Sequence, residues 1–384
     1  MEVLHEVVYD QTNPYPWYKH MRDTQPVYYD EQMKMWYLFR YEDVQMALHD
    51  HATFSAQGSK GNSYLGSSFL SMDPPNHRKY RGLVSQAFTP RSIAQLEPRI
   101  TTIVNQLLDA VIDTGEFDLV KDFAFPLPAT VISELFGVPS TDHDYFKQMS
   151  DRTMAELEVL SLITEFPAQE ELAAYLLPLI EHRRHTPGDD LISRLISAEV
   201  DGEKLSTYDI QATCVLVLLA GYETTTTLIS NALFCFTEQP GIMEDLRANA
   251  QLMPSAIEEV LRYRPPVAGI PRMTTCDAHM GSTTIPAGSM VGVSLASANR
   301  DEHIWPDADT FDIRRTSNQH VAFGYSIHFC LGAPLARLEG NIALTTLLER
   351  LPELRRHPDI PVALTVGPGG FFQGTKQFPM IFTP

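Results

Sequence analysis

The chain has 384 residues, 44% of them hydrophobic, which is enough to bury a large core in one domain or two. Its 29 basic and 48 acidic residues give a formal net charge of −19, and this argues against a nucleic-acid-binding protein, whose phosphate-binding surface needs a basic excess. The four cysteines lack a paired spacing such as Cys-x-x-Cys, so neither a disulfide framework nor a zinc site is indicated.

No change of composition and no Gly/Ser linker divides the chain, which favours a single domain over residues 1–384. The first residues lack the basic and then apolar pattern of a secretory signal. The longest uninterrupted apolar run, residues 214–221, is shorter than the roughly 18 residues that a membrane-spanning helix needs. We therefore expect a cytoplasmic monomer with no membrane partner and no nucleic-acid partner.

Short segments with the β-branched and aromatic content of strands lie towards the two ends of the chain, at residues 27–29, 35–39 and 290–295. Between them the hydrophobic pattern is mainly helical, for example over residues 93–114 and 170–185. The sequence thus predicts a mainly α fold with a small β region.

A basic cluster interrupts the acidic chain at residues 77–81 (HRKYR), and Arg91, Arg99 and Arg337 add to it. Arginines often form only a solvated face. The alternative is a surface that binds carboxylates and an acidic partner protein.

A long helix is predicted from Ser206 to Pro240, about 45 Å at about 1.5 Å per residue. Ser206 and Asp209 form a variant capping box, in which the hydroxyl and the carboxylate accept from free N–H groups of the first turn. Pro240 and the glycine after it form a turn signal that ends the helix.

The centre of this helix, residues 220–225 (AGYETT), combines small residues, an acid and alcohols in an otherwise apolar segment. Ala220 and Thr224 share a face, so a flat ligand could lie against the small residue with the hydroxyl near its centre. Gly221 lowers helix stability, and a threonine that bonds back to its own turn can bend the helix. The alternative is that Glu223 is a paired core carboxylate and the threonines are packing surface.

Glu259 and Arg262 are three residues apart on one helical face and can pair. An exposed pair of this kind contributes only about 0.5 kcal/mol. A buried pair would serve another purpose, such as fixing the geometry of a loop. Downstream, Arg272 lies in an extended stretch that begins at Val267.

Residues 323–332 (FGYSIHFCLG) place Cys330 in a glycine-flanked loop, with Phe323 seven positions before it and His328 two before. The residues that follow are predicted to begin a helix, whose free N–H groups would lower the pKa of the thiol. Such a loop suits a thiolate ligand of haem iron, which promotes O–O bond cleavage. The alternative is a buried structural thiol.

The cysteine loop, the segment 220–225, the glutamate–arginine pair and the run 298–312 occur in the order and spacing of one family. Residues 73–81 and 189–192 extend the match over nearly the whole chain. The chain resembles the cytochrome P-450 family of haem-thiolate monooxygenases in its soluble bacterial form. The resemblance implies the cytochrome P-450 fold, in which the long central helix crosses the haem.

The resemblance also implies a haem b cofactor (iron protoporphyrin IX) with Cys330 as the metal ligand. Four cationic residues match positions that bind the haem propionates: His77, Arg81, Arg272 and His328. The other residues implied to bind the cofactor are Ala220, Gly221, Phe323 and Gly332. Glu259 and Arg262 match a structural pair that Arg315 joins, and so are not catalytic.

The catalytic residues implied are Thr224 and Glu223, which match the alcohol and the acid that organise water and deliver protons during dioxygen activation. Glu223 stands where aspartate is commoner, which adds one methylene. Ser326 stands where the family usually has glycine. We expect left-handed backbone there, at a cost on the order of 1 kcal/mol.

The implied function is hydroxylation or epoxidation of a hydrophobic small molecule in secondary metabolism: a polyketide or macrolide, a terpenoid or steroid, or a fatty acid. No flavin or iron–sulfur motif is present, so electrons would come from a ferredoxin or flavodoxin with its reductase. This partner is expected to dock near Arg78, Lys79 and Arg337.

Two other functions stay open: a peroxide-driven haem peroxygenase and a non-catalytic haem-binding sensor. The first is less favoured because such an enzyme would usually lack the acid–alcohol pair. The second would be expected to carry an output domain, and none is visible. The pocket is implied to be lined by the segment after Phe54 and by residues 154–176, 216–220, 267–270 and 370–372.

Overall fold

The computed structural model describes residues 9–57, 63–158, 165–366 and 372–384. Backbone contacts group the chain into two compact units, each built from three separate segments. The first unit comprises 1–56, 231–330 and 362–376, and the second comprises 57–230, 331–361 and 377–384. The single domain expected for the whole chain stays a prediction.

The described residues form mostly helices, which confirms the predicted fold class. In chain order the α-helices are α1 (Tyr15–Thr24), α2 (Tyr41–His49), α3 (Tyr64–Ser67), α4 (Asn76–Ser85), α5 (Pro90–Ala94), α6 (Glu97–Asp109), α7 (Pro126–Leu135), α8 (His143–Glu158), α9 (Pro167–His185), α10 (Leu191–Ser197), α11 (Thr207–Glu238), α12 (Ile242–Ala248), α13 (Met253–Tyr263), α14 (Leu295–Ala298) and α15 (Ala333–Arg350). A π-helix spans Leu119–Ala124, and short 3-10 helices span Phe69–Ser71, Ser140–Asp142, Ala250–Leu252 and Ser326–His328.

The strands are short and are shared among several small sheets. In chain order they are β1 (Val27–Asp30), β2 (Met35–Leu38), β3 (Phe54–Ser55), β4 (Glu116–Asp118), β5 (Glu199–Val200), β6 (Glu203–Lys204), β7 (Ile270–Thr274), β8 (Ala278–Met280), β9 (Thr283–Ile285), β10 (Met290–Val293), β11 (Arg355–Arg356), β12 (Ala363–Val366), β13 (Gln373–Gln377) and β14 (Pro379–Ile381).

The largest sheet lies in the first unit and has the strand order β1-β2-β10-β7-β3. All its pairings are antiparallel except that of β2 with β10, in which Tyr37 lies opposite Gly292. The predicted strands at 27–29, 35–39 and 290–295 are therefore β1, β2 and β10. Arg272 lies on β7, opposite Val291, in the predicted extended stretch.

The core of the first unit forms where this sheet packs against α2 and α14. The second unit has its own core, in which α4, α7, α9, α10 and the first half of α11 bury apolar residues together. Because α11 is buried along most of its length, apolar residues occur all round it, as in a core helix.

The α11 helix begins as its sequence predicts. The Ser206 hydroxyl accepts from the Asp209 N–H at 3.1 Å, and the Asp209 carboxylate accepts from the Ser206 N–H at 2.9 Å. An 18-residue window of α11 has a mean hydropathy of 1.4, so by length and composition it could cross a membrane, but 67% of that window is buried inside the protein. The window contains polar residues, so a count of uninterrupted apolar residues does not detect it.

The structure departs from the expected elements in several places. The helix predicted over residues 93–114 is divided, because α5 ends at Ala94 and Pro98 begins a new first turn in α6. The π-helix and the hairpins β5–β6 and β8–β9 were not predicted. These hairpins have strands of two or three residues, too short for an alternating pattern to be recognised.

Candidate functional site

The cysteine loop ends in a backbone hydrogen bond that closes it: the Cys330 N–H donates to the Phe323 carbonyl at 2.8 Å. The Phe323 and Phe329 rings lie beside each other, with centroids 6.2 Å apart. Cys330 itself is partly exposed. Gly332 caps α15, and its carbonyl accepts from the Ala336 N–H at 3.0 Å. The predicted helix after the cysteine is thus present.

Two residues of this loop have a left-handed backbone conformation. Ser326 has φ +61°, the left-handed conformation expected where a glycine is usual. Gly324 has φ +73°, and a Cβ there would lie 3.4 Å from the His328 carbonyl oxygen. The left-handed backbone therefore favours glycine at 324, and the loop accepts the strain of serine in the same conformation at 326.

The glutamate–arginine pair is fully buried, which decides between the two alternatives left open by the sequence. The Arg262 Nε donates to Glu259 Oε2 at 2.8 Å, and the Arg262 Nη2 donates to Glu259 Oε1 at 2.7 Å. Arg315 joins them as predicted, with Nε 3.2 Å from Glu259 Oε2. The Asn318 side chain and the Asp312 N–H also donate to this carboxylate. The network fixes the segment that leads into the cysteine loop.

Two residues next to this network were missed in the sequence. The Asn299 Oδ1 accepts from the Val321 N–H at 2.8 Å. His320 lies with Nε2 3.1 Å from Glu258 Oε2, and its Nδ1 accepts from the Ala322 N–H at 3.3 Å. The sequence carries only a weak signal for them, since asparagine and histidine are common in surface loops as well.

The centre of α11 presents small side chains. Ala220 is exposed, Gly221 beside it is partly exposed, and Thr224 is partly exposed on the same face as Ala220. The Thr224 hydroxyl donates to the Ala220 carbonyl, the predicted bond within one turn, and α11 nevertheless continues without interruption. Gly221 is close to Ile132 of α7: a Cβ at 221 would lie 2.9 Å from Ile132 Cδ1. Helix packing therefore gives Gly221 a reason to be glycine that does not depend on a ligand.

The acid of this segment, Glu223, is partly buried beside Tyr222. The Tyr222 hydroxyl donates to Asp151 Oδ1 at 3.0 Å and so links α11 to α8. Burial, with a further contribution from the Asp151 carboxylate, raises the pKa of Tyr222 well above its ordinary value. Tyr222 therefore stays a neutral hydrogen-bond donor.

The helix α4 carries the basic cluster of residues 77–81. His77 is 2% exposed, and the Arg81 guanidinium lies 5.9 Å from the centroid of the Phe69 ring. Arg78 is exposed, whereas Lys79 forms a salt bridge with Glu203. The lysine charge is therefore partly neutralised.

The predicted site residues divide between the two compact units. Arg272, Phe323, His328 and Cys330 lie in the first; His77, Arg81, Ala220, Gly221, Glu223, Thr224 and Gly332 lie in the second. Their shared role stays a prediction. Residues 159–164 and 370–371 of the predicted pocket lining, and 58–62 of the segment after Phe54, lie outside the described residues.

The chemistry of the available donors fits haem. Across residues 9–57, 63–158, 165–366 and 372–384, no group of three or more His, Cys, Asp or Glu side chains could hold a metal ion. A porphyrin iron needs only one axial ligand from the protein. Burial raises the pKa of Cys235 to about 11 and that of Cys214 still further, so both stay thiols. Cys330 lies in the glycine-containing loop before a helix, and its role as the thiolate ligand stays a prediction.

Comparisons with known proteins agree with this chemistry. The family model described as Cytochrome P450 matches residues 19–353. The chain is 46% identical to the putative cytochrome P450 YjiB of Bacillus subtilis over 96% of this chain and 94% of that protein. It is 41% identical to the erythromycin C-12 hydroxylase of Saccharopolyspora erythraea over 90% of this chain and 89% of that one.

A crystal structure of CYP109E1 from Bacillus megaterium in complex with testosterone superposes with a TM-score of 0.90 at 38% identity, covering 97% of this chain and 100% of that one. The cytochrome P450 family binds haem, and its named members among these relatives are monooxygenases. With a family model over most of its length and relatives this similar, the chain belongs to the cytochrome P450 family of haem monooxygenases.

Proposed function

We propose that the protein uses Cys330 as the thiolate ligand of haem and oxidises a hydrophobic small molecule by hydroxylation or epoxidation. The observation that carries this proposal is the loop closed by the bond from the Cys330 N–H to the Phe323 carbonyl. A backbone N–H group tied in this way holds the cysteine in one orientation, as a metal ligand requires. When bound, the haem supplies the reductive activation of dioxygen.

The residues proposed to hold the cofactor are those that the family resemblance implies. Carboxylate groups such as the propionates would be met by charge-assisted hydrogen bonds from His77, Arg81, Arg272 and His328. The small side chains of Ala220 and Gly221 leave a flat helix surface, and Phe323 and Gly332 flank the cysteine in sequence.

Thr224 and Glu223 are proposed to deliver protons. Because the Thr224 hydroxyl donates its own hydrogen to the Ala220 carbonyl, its oxygen is left to accept a hydrogen bond from water. Glu223, one residue before, supplies an ionisable group from the same turn of α11. This pair disfavours the peroxide-driven alternative, which would not need proton delivery to dioxygen.

Replacing Thr224 by alanine should uncouple electron use from product formation, because the hydroxyl that orders the proton-donating water is lost. We expect the yield of product per NAD(P)H consumed to fall about tenfold, which is less than the roughly hundredfold or greater contribution typical of general acid–base catalysis. Thr226 is a matched control, since its hydroxyl makes the same bond, to the Tyr222 carbonyl at 3.0 Å, from a buried position. Thr226→Ala should keep full coupling; equal coupling in Thr224→Ala and the wild type would contradict the role of Thr224.

The substrate is proposed to be a macrolide or polyketide, or a steroid or terpenoid, in preference to a fatty acid. The named erythromycin hydroxylase and the testosterone complex among the relatives support these classes. A library of such compounds, screened by the change in haem absorption on binding, tests the assignment. A response to fatty acids alone would contradict it.

The electron donor is proposed to be an acidic ferredoxin or flavodoxin, served by its reductase, that docks near Arg78, Lys79 and Arg337. Arg78 is exposed on α4, whereas Arg337 on α15 is partly buried. Since Lys79 is paired with Glu203, Arg78 should contribute most of the unpaired charge on α4.

Reversing the charge of Arg78 should slow reduction by an acidic ferredoxin about fivefold at low salt, because steering of a charged partner is lost. Raising the salt concentration should remove most of this difference. The control Arg355→Glu makes the same change of charge at an exposed position on β11. Stopped-flow reduction with equal rates for all three proteins at every salt concentration would overturn the docking site.

A soluble protein is supported by the crystal structures of its relatives. Its cytoplasmic location, monomeric state, place in secondary metabolism and lack of membrane and nucleic-acid partners stay predictions.

A further inference from the structure

Two neighbouring glutamates of α13 hold different parts of the segment that leads into the cysteine loop. Glu259 belongs to the buried network with Arg262 and Arg315. Glu258 points to His320 instead, with Oε2 3.1 Å from Nε2 of the ring. The family resemblance implies no role for His320.

The surroundings of the His320 ring determine its tautomer. The Ala322 N–H can only donate, so Nδ1, at 3.3 Å, accepts. The ring proton is therefore on Nε2 and is donated to Glu258. The side chain is only 4% exposed, and both ring nitrogens have hydrogen-bond partners inside the protein.

The residue that bonds to this ring, Ala322, is next in sequence to the residue whose carbonyl holds Cys330. Ala322 is followed by Phe323, whose carbonyl accepts from the Cys330 N–H at 2.8 Å. The His320 and Phe323 rings are also close, with centroids 6.0 Å apart. A displacement of the backbone at 322 would therefore move the acceptor of the Cys330 N–H.

We propose that His320 is a positioning residue for the cysteine ligand: it bonds α13 on one side and the backbone of residue 322 on the other, and so holds the Phe323 carbonyl where it fixes Cys330. This inference rests on the proposed ligation of haem iron by Cys330. A second anchor, the bond from the Val321 N–H to Asn299, remains when His320 is changed, so loss of His320 should weaken the loop without destroying it.

Three substitutions separate the two bonds of His320. His320→Phe keeps a ring but removes both bonds. His320→Asn keeps an acceptor near the position of Nδ1, within reach of the Ala322 N–H. His320→Gln keeps a donor near the position of Nε2, within reach of Glu258. The control is His303→Asn, since the His303 side chain also pairs with a carboxylate, Asp301 at 2.9 Å, but is 79% exposed.

The measurement follows the red-shifted absorption band of the reduced, carbon-monoxide-bound holoenzyme, which reports a thiolate ligand. Each protein is held in dilute urea that leaves its far-ultraviolet circular dichroism unchanged, so that loss of the band reports the ligand loop and not unfolding. Losing two hydrogen bonds should make the band of His320→Phe decay about tenfold faster than that of the wild type. His320→Asn should decay within about threefold of the wild type, because the bond next to the loop is kept.

Equal decay rates for His320→Phe, His303→Asn and the wild type would overturn the inference, as would His320→Asn decaying as fast as His320→Phe. If His320→Phe takes up no haem, His320→Asn is compared with His320→Gln. Slower loss of the band in His320→Asn than in His320→Gln supports the inference. Equal or faster loss contradicts it. Failure of the proposed function looks different, because the wild type itself would then lack the red-shifted band.

Discussion

Cys330→Ala should abolish the red-shifted band of the reduced, carbon-monoxide-bound protein completely. The band depends on electron density that a thiolate donates to iron, and alanine has no atom to donate it. Neither Cys214 nor Cys235 can substitute, because both are buried and burial raises the pKa of both thiols. Monooxygenase turnover should be lost with the band.

The control for this change is Cys276→Ala, since Cys276 is the exposed cysteine and is also free. Its spectrum and turnover should match those of the wild type. Haem content, measured on each protein by pyridine haemochrome, distinguishes loss of the ligand from loss of the whole cofactor. A red-shifted band that survives Cys330→Ala would show that another residue binds the iron.

The long helix is an example of what the sequence determines. Its start follows from the reciprocal bonds of Ser206 and Asp209, and its end precedes Pro240, as predicted. Local hydrogen bonding and proline geometry fix both ends, and neither needs a distant partner. The predicted bond from Thr224 to Ala220 is local in the same way.

The burial of Glu259 and Arg262 could not be predicted, because spacing along a helix does not reveal what covers it. Their partners Asp312, Arg315 and Asn318 lie more than fifty residues downstream. The same limit applies to His320, since its bond to Glu258 spans 62 residues. Tertiary contacts decide these roles: the family resemblance implied the contact of Arg315 with the pair, whereas residue spacing alone shows neither this contact nor that of His320.

Gly221 shows a related limit. Its small size is what a flat ligand would need, and the sequence favoured that explanation. Close packing against Ile132 favours glycine as well, since a Cβ would lie 2.9 Å from Ile132 Cδ1 and the end of that side chain would have to shift. One residue can thus satisfy two constraints, and the sequence alone does not separate them.

Glu339→Gln should make the protein more stable at pH 8 and should change its stability much less at pH 5. Glu339 lies on α15, is 1% exposed, and its Oε2 has no hydrogen-bond partner among the described residues. Burial raises the pKa of this carboxyl to about 8, so the folded protein keeps it protonated at neutral pH. Glutamine has a similar shape and is neutral at every pH in this range. The variant therefore does not have to bind a proton in order to bury this side chain.

The sign follows from the two pKa values. In the unfolded chain the carboxyl titrates near its ordinary pKa of about 4.3, so the stability that the neutral form gives is fully present below that pH. It is lost as the pH rises towards the folded-state pKa, at up to about 1.4 kcal/mol per pH unit. Between pH 5 and 8 the wild type should therefore lose on the order of 4 kcal/mol relative to Glu339→Gln.

Urea unfolding of the haem-loaded wild type and variant, at half-unit steps from pH 5 to pH 8, measures this difference. Glu349→Gln is the matched control, because Glu349 is exposed on the same helix and its replacement should leave the pH dependence as it is. A free-energy difference between wild type and Glu339→Gln that stays constant over this range would mean that Glu339 is ionised in the folded protein. Its buried carboxylate would then need a cationic or hydrogen-bonding partner, since an ion without one is too costly to bury.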